Sequence, residues 1–287
     1  MMALVFGGKG WIGSEFVKQL VASRIVTKEL PSRGFDGKGY TFKQLDFIIK
    51  QAEPDLVINC SGYTGKPNVD ACEDHKAEAI MSNVVFVKML AESCGNLGMP
   101  LAHVSSGCIY NGYEKEFTEE DPPNFTFDCP PCSFYSGTKA MAESVLAPLK
   151  KKWVWRLRIP FEAIDGPRNY LSKIIGYDIL LNMRNSLSHK EDYVKACVEM
   201  VLRYKPFGIY NMTNPGSVTT EEVVEMMKMK LDTTKEFKYF PSIEEFNKTV
   251  RTPRSNCVLN TDKLTKTGIV MRPVKEALQD TINHWKW

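Results

Sequence analysis

The sequence predicts an α/β protein, a doubly wound parallel sheet with a smaller C-terminal α/β lobe that binds substrate. Three observations predict it. A short apolar run at 3–6 ends in Gly7-Gly8-Lys9-Gly10-Trp11-Ile12-Gly13, after which Phe16, Leu20 and Val21 continue at helical spacing. Further apolar runs at 56–60, 101–105 and 153–157 alternate with helical patterns at 45–51, 77–94 and 135–149. After Arg158 the rhythm changes to loops, short helices and scattered prolines. Strands that alternate with helices build a parallel sheet covered on both faces.

The first strand, glycine turn and helix carry the most specific local signal. Glycines at 7, 10 and 13 allow a tight turn, let backbone N–H groups of the turn, with Trp11 and Ile12, approach a pyrophosphate, and let the helix pack close to the strand. This is the pattern of a Rossmann-type dinucleotide site. Ligands of such sheets bind beyond the C-terminal ends of the strands. Asn59-Cys60-Ser61-Gly62 and Ser105-Ser106 fall at such ends, where cofactor and substrate are expected to meet. The stretch 161–185 reads as loop-rich, 190–204 as helix, 207–210 as a strand that rejoins the sheet, and 220–230 as helix. The predicted division is therefore a cofactor-binding domain over 1–160, rejoined by 190–212, and a second lobe from 161–189 and 213–287. The substrate is expected between the two.

A chain of 287 residues with 37 Lys and Arg against 34 Asp and Glu, net +3, is too balanced to point to nucleic acid or an anionic membrane as partner. No apolar run is long enough to span a bilayer. The run 1–6 is broken by Gly7 and Gly8 and has neither charged leader nor cleavage site, so it reads as a strand. With that reading the eight scattered cysteines are expected as reduced thiols, and the location as cytoplasmic. Cys129-Pro130-Pro131-Cys132 has redox or zinc spacing, but no second such pair accompanies it, so no metal is expected and the segment reads as a loop into the next helix.

Ser106-Gly107-Cys108-Ile109-Tyr110 and Tyr135-Ser136-Gly137-Thr138-Lys139 carry the chemistry. Tyr135 and Lys139, spaced i, i+4, share one helical face, so the ammonium is expected to lower the phenol pKa and make Tyr135 a usable acid. The Ser106 hydroxyl would hold a carbonyl oxygen that gains charge. Cys108 is surplus to ketone reduction. Two residues along the strand from Ser106, it is expected on the same sheet face, able to exchange protons with carbon next to the carbonyl.

These segments resemble the extended short-chain dehydrogenase/reductase family. Gly62-Tyr63-Thr64-Gly65-Lys66-Pro67-Asn68-Val69-Asp70, Phe134-Tyr135-Ser136-Gly137-Thr138-Lys139-Ala140, Tyr210-Asn211-Met212-Thr213-Asn214-Pro215-Gly216 and Pro253-Arg254-Ser255-Asn256 are similar, over nearly the whole chain, to the plant-type nucleotide-rhamnose synthase/epimerase-reductases. The resemblance implies inversion of C3 and C5 of UDP- or dTDP-4-keto-6-deoxyglucose and reduction of C4 with NADPH. It implies Ser106, Tyr135 and Lys139 as the reductase triad, Asn83 as the support of the lysine through water, and Cys108 with Lys173 as the epimerising acid/base pair. GDP-fucose synthases look similar at Ser106 and Cys108 but carry a histidine where Lys173 falls. The stretches 26–39 and 115–133 depart from the plant pattern.

The same comparison implies cofactor contacts from Gly7, Gly10, Trp11, Ile12, Gly13, Lys38, Asn59, Ser61, Gly62, Ser105, Tyr135, Lys139 and Arg158. It implies substrate contacts from Thr64, Lys66, Asn68, Asn169 and Arg254, the last as a guanidinium fork for the diphosphate. NADP(H) is the expected cofactor, since Lys28, Arg33 and Lys38 follow the second strand and Lys9 lies in the glycine loop. Glu29 and Asp36 are the contrary signal, which keeps NAD(H) as the lesser alternative. A homodimer is expected through the helices at 77–94 and 135–149. The competing activities are a 4-reductase without epimerase function and a non-catalytic NADP-binding regulatory subunit. Cys108 speaks against the first, and the matched Tyr135 and Lys139 against the second.

Overall fold

The computed structural model describes residues 1–32, 39–230 and 235–286. Its centre is a six-stranded parallel sheet built from β1 (Met2–Phe6), β2 (Val26–Leu30), β3 (Leu56–Asn59), β4 (Leu101–Ser106), β6 (Lys152–Leu157) and the strand Gly208–Asn211. The order across the sheet is Gly208–Asn211, β6, β4, β3, β1, β2. The chain runs outward from β1 to β2 and then crosses back to β3, so the switch point falls between β1 and β3.

Strand alternation sorts the core. Ala3, Val5, Leu56, Ile58, Trp153 and Trp155 face one side, packed by Phe16 and Leu20 of helix α1 (Trp11–Ala22) and by the helix Lys190–Leu202. Leu4, Phe6, Val57 and Val154 face the other, packed by Leu45 and Ile49 of helix α2 (Phe42–Ala52) and by the helices Phe86–Asn96 and Phe134–Leu146. Each such side chain removed from water contributes about 1.5–3 kcal/mol. Helix α2 starts at a capping box of Thr41 with Gln44, a start signal that the apolar pattern alone did not mark.

The pattern at 77–94 is one helical rod with an interruption. Lys76–Ile80 is α-helical, Met81–Val85 is a π-helical turn, and Phe86–Asn96 continues as α-helix. Such wide turns recur at functional sites, and this one carries Asn83. Gly208–Asn211 pairs with β6, as its apolar pattern predicted.

The segment read as loop-rich holds the short strands Ile179–Leu180 and Arg184–Asn185 and the helix Tyr170–Gly176. Strands of two residues are too short for a period-2 pattern to register. Phe161, Leu171, Ile174, Val223, Val224, Met227, Ala277, Leu278 and Ile282 form a separate core there. A small further cluster of Ile109, Tyr110, Phe117, Cys257 and Leu259 forms where β5 (Gly112–Phe117) pairs with the strand Cys257–Leu259. No helix among the described residues is long and apolar enough to cross a membrane.

Candidate active site

Beyond the C-terminal end of β1, Gly7 adopts φ +76°, a left-handed conformation that only glycine takes without strain. A Cβ on Gly13 would lie 2.1 Å from the Gly7 carbonyl oxygen, so helix α1 can sit this close to the turn only with glycine there. Gly10 caps α1 without a side chain, which leaves the first-turn N–H groups of Trp11, Ile12 and Gly13 for an incoming anion. The indole N–H of Trp11 donates to Glu162, which also pairs with Lys190, so the glycine turn is tied to the start of the second lobe. Glu29, near the end of β2, reaches back over Gly8, where an added Cβ would lie 2.8 Å from its carboxylate oxygen. Lys38, Arg33 and Asp36 lie outside the described residues.

At the end of β3, the Asn59 side-chain oxygen accepts from the Ser61 N–H at 2.9 Å and its Nδ2 meets His103 Nδ1 at 3.1 Å. The Ser61 hydroxyl is buried without a partner and would be 3.0 Å from a Cβ on Gly7. Burial, and then the Lys139 charge, push the His103 pKa well below its ordinary value, so the ring is neutral. Gly62 lies against Asn83, whose amide bonds both backbone groups of Tyr63, at 2.7 and 2.9 Å, and the Thr138 hydroxyl at 3.0 Å. Asn83 thus clamps the loop after β3 onto the helix Phe134–Leu146, beside Lys139.

Ser106 ends β4 with its hydroxyl toward the Tyr135 phenol. Ser133 caps the helix Phe134–Leu146, which sets Tyr135 in its first turn and Lys139 one turn later. Lys139 Nζ donates to the Val104 carbonyl at 3.0 Å. Burial holds the Lys139 pKa down at about 8, with the Glu143 and Cys108 charges opposing. The Tyr135 pKa moves opposite to the expectation from spacing. Burial pushes it up, the Cys108 charge adds to the rise, and the Ser106 hydrogen bond and Arg168 oppose it. Helical spacing shows that two side chains share a face; it does not register that the phenol is enclosed.

Cys108 reaches this cluster by a different route from the one predicted. β4 ends at Ser106, and Cys108 sits in a 3₁₀ turn, Gly107–Ile109, with its N–H donating to Ser106 Oγ at 3.2 Å. Three further residues expected to contact cofactor or substrate carry intramolecular partners. Ser105 points to the opposite sheet face, where its hydroxyl donates to Glu143 at 2.6 Å within the buried Glu143–Arg156 pair. Arg158 spends its guanidinium on Gly107, Cys108, Asn185 and Ser255. Asn169 is 1% exposed and caps the helix Tyr170–Gly176, its amide also bonding Glu162 and Ile164. These bonds tie the three side chains to neighbouring segments, which a residue-by-residue likeness does not register.

Lys173 lines a cleft of about 350 Å³ with Asp165, Gly166, Pro167, Ser172, Gly176 and Tyr177. Burial, then the charges of Arg168 and Arg254, lower its pKa. Arg168, which the sequence reading passed over, is the link: its charge acts on Tyr135 and Lys173, and it donates to Thr64 Oγ1 at 2.8 Å. Arg254 forms a two-pronged pair with Asp70, at 2.7 and 2.8 Å. Asn68 folds the same loop by accepting from the Asp70 N–H at 2.9 Å, while Lys66 stands exposed before it. Cys129 is exposed and Cys132 half-buried. Among the described residues no group of His, Cys, Asp and Glu is placed to hold a metal ion.

The fold and this arrangement are those of a Rossmann-type oxidoreductase. More narrowly, the chain belongs to the RmlD substrate binding domain family, whose profile matches residues 1–286. It is 35% identical over 283 residues to a bifunctional dTDP-4-dehydrorhamnose 3,5-epimerase/dTDP-4-dehydrorhamnose reductase of Arabidopsis thaliana, covering 96% of this chain and 90% of that one. It is 34% identical over 286 residues to a trifunctional UDP-glucose 4,6-dehydratase/UDP-4-keto-6-deoxy-D-glucose 3,5-epimerase/UDP-4-keto-L-rhamnose-reductase of the same plant, of which it spans 40%. Among solved structures, the UDP-rhamnose synthase of Acanthamoeba polyphaga mimivirus superposes with a TM-score of 0.89 at 27% identity over 99% of both chains. A Bacillus anthracis dTDP-4-dehydrorhamnose reductase in complex with NADP shares the fold, with a TM-score of 0.80 at 16% identity over 98% of both chains.

Proposed function

We propose that this protein is a bifunctional 3,5-epimerase/4-reductase that converts UDP- or dTDP-4-keto-6-deoxyglucose to the L-rhamnose nucleotide. One observation carries the reading: the Cys108 N–H donates to Ser106 Oγ at 3.2 Å, so a thiol-bearing residue stands beside a complete carbonyl-reducing set. The names of the plant and viral relatives support the same chemistry.

The residues at the switch point fit a dinucleotide. The uncapped start of α1, the Gly7, Gly10 and Gly13 turn, and the unpartnered Ser61 hydroxyl offer donors to a pyrophosphate and ribose. Asn59 and Gly62 shape the neighbouring edge. The cofactor is NADP(H), which when bound supplies the hydride for C4. Glu29 over Gly8 is the feature that suits an unphosphorylated ribose, which makes NADH the second donor to compare.

The chain's own residues do the rest. Tyr135, kept protonated by burial, gives its proton to the C4 oxygen, and Ser106 steadies that oxygen as charge develops. Hydrogens on C3 and C5 are acidic because the adjacent ketone can become an enolate, so Ser106 and Tyr135 serve both reactions. Inversion needs a proton taken from one ring face and returned to the other, the work of Cys108 and Lys173. In this reading Thr64, Lys66, Asn68 and the Arg168 guanidinium meet the diphosphate, and Arg254 exchanges the Asp70 carboxylate for a phosphate oxygen. In this reading 161–189 and 213–287 form the nucleotide-sugar lobe.

The test is product analysis in deuterated water with the UDP and dTDP 4-keto sugars and NADPH. Deuterium at C3 and C5 of a rhamnose nucleotide is expected, and Cys108→Ser or Lys173→Met should suppress it. Reduction without deuterium uptake would leave a 4-reductase alone.

A further inference from the structure

Arg156, in β6, and Arg158, just past the end of that strand, are both buried, at 2% and 0% exposure. Their surroundings differ in kind. Arg156 pairs with the Glu143 carboxylate at 2.6 Å, with a second nitrogen at 3.0 and 3.2 Å. Arg158 makes no ion pair with an Asp or Glu among the described residues. Its acceptors are the Gly107 carbonyl at 3.3 Å, the Ser255 hydroxyl at 3.0 Å, the Ser255 carbonyl at 2.7 Å and the Asn185 side-chain oxygen, and its Nε has no partner. All of these are neutral. An enclosed guanidinium cannot shed its proton, so a neighbouring group able to turn negative is stabilised in its charged form.

One such group accepts a hydrogen bond from it: Cys108 Sγ, 3.8 Å from Arg158 Nη1. A sulfur that accepts from a cation is favoured as thiolate, because ionisation adds the acceptor charge that the donor already faces. The other titratable groups around the pair leave this assignment standing. Cys257, on the facing strand, is pushed up by burial and turns its S–H to the Gly107 carbonyl at 3.7 Å. The Tyr113 phenol is pushed up by burial and donates to the Arg184 carbonyl. From the helix Phe134–Leu146 come Tyr135, held protonated, and the Lys139 ammonium, which also favours a negative sulfur.

We propose that Arg158 is a positioning residue that holds Cys108 as a thiolate, which makes Cys108 the base of the epimerisation and Lys173 the acid. The step balances without any added reagent. The Cys108 thiolate forms an S–H bond as the C–H bond breaks, and that electron pair moves onto the ketone oxygen as an enolate. A Lys173 N–H bond then breaks as a C–H bond forms on the opposite ring face. Cys108 returns its proton to solvent and Lys173 regains one, and no atom is oxidised or reduced. The assignment of roles rests on the epimerase/reductase reading; the thiolate itself does not.

The experiment is the pH dependence of Cys108 alkylation by iodoacetamide in the full protein, read peptide by peptide by mass spectrometry, with glutathione in the same tube as the reference thiol. The midpoint of the pH curve is read and not the absolute rate, because restricted access of the reagent scales the rate alike at every pH. Cys108 should reach half-maximal rate at least one pH unit below glutathione, about tenfold more thiolate at neutral pH. Arg158→Met should move that midpoint up by a unit or more, and Arg158→Lys should restore part of the difference. A wild-type midpoint at or above that of glutathione overturns the proposal whatever the variants do, as does a folded Arg158→Met protein with an unmoved midpoint. Deuterium uptake is measured in parallel on the wild type. Its absence together with a low Cys108 midpoint would remove the epimerase reading and leave the thiolate in place.

Discussion

Gly13→Ala tests the closest backbone approach in the glycine turn. An ideal Cβ there would lie 2.1 Å from the Gly7 oxygen, 2.9 Å from the Gly7 carbonyl carbon and 3.0 Å from the Gly8 Cα. The first of these falls about 1.3 Å short of ordinary contact, and every neighbour is backbone, so no rotamer change relieves it. Helix α1 and the turn must separate. Overpacking of this kind costs about 1–3 kcal/mol, and the upper end is expected because nothing nearby can yield. The same separation moves the first-turn N–H groups, so NADPH affinity should fall about tenfold for each 1.4 kcal/mol lost there. The control is Gly95→Ala in the helix Phe86–Asn96, where the added methyl meets only Leu149 Cδ1 at 3.6 Å. That change should stabilise by about 0.5–1 kcal/mol through helix propensity. Urea unfolding at unchanged m-value gives both stabilities, and fluorescence titration gives NADPH binding. A Gly13→Ala protein of wild-type stability and affinity, or a Gly95→Ala protein equally damaged, would refute the packing argument.

Tyr135→Phe should lower reduction of the 4-keto sugar by about 10²- to 10⁴-fold while NADPH still binds, read by steady-state rates and titration. The Lys139 ammonium, held at about 8 by burial, is present at neutral pH and lost as pH rises through that value, so reduction should decline above pH 8. Tyr135, pushed up by burial, keeps its proton across that range and cannot cause the decline. For stability the sign is opposite: between about 8 and 10.5 the unfolded chain binds the proton that folded Lys139 has lost, so this group's contribution rises with pH, a rise absent in Lys139→Met. Ile80, Met81 and Met141 stand exposed on the helices expected to pair between two copies, and light scattering at micromolar concentration should report a dimer mass.

Much of the fold was legible because its signals are local. The run at 3–6, the glycine turn and the alternation of strands with helices are near-neighbour patterns, and a parallel sheet with two covered faces is the packing that satisfies them. The strand at Gly208–Asn211 was legible for the same reason. That Tyr135 and Lys139 share one face of a helix was legible from their spacing, since one helical turn sets their separation. The short strands of the second lobe were missed because two residues carry no period.

Which side chains are free and which are spent was decided only by the tertiary structure. Ser105 and Ser106 are adjacent in sequence, yet strand alternation gives one to the buried Glu143–Arg156 pair and the other to Tyr135. Asn169 became a helix cap, Arg168 emerged between Tyr135 and Lys173, and the Tyr135 pKa rose where spacing alone had lowered it. Sequence specifies residue type and separation along the chain. Desolvation and charge coupling depend on distances through space between residues as remote in sequence as Cys108, Arg158 and Ser255, and folding alone sets those distances.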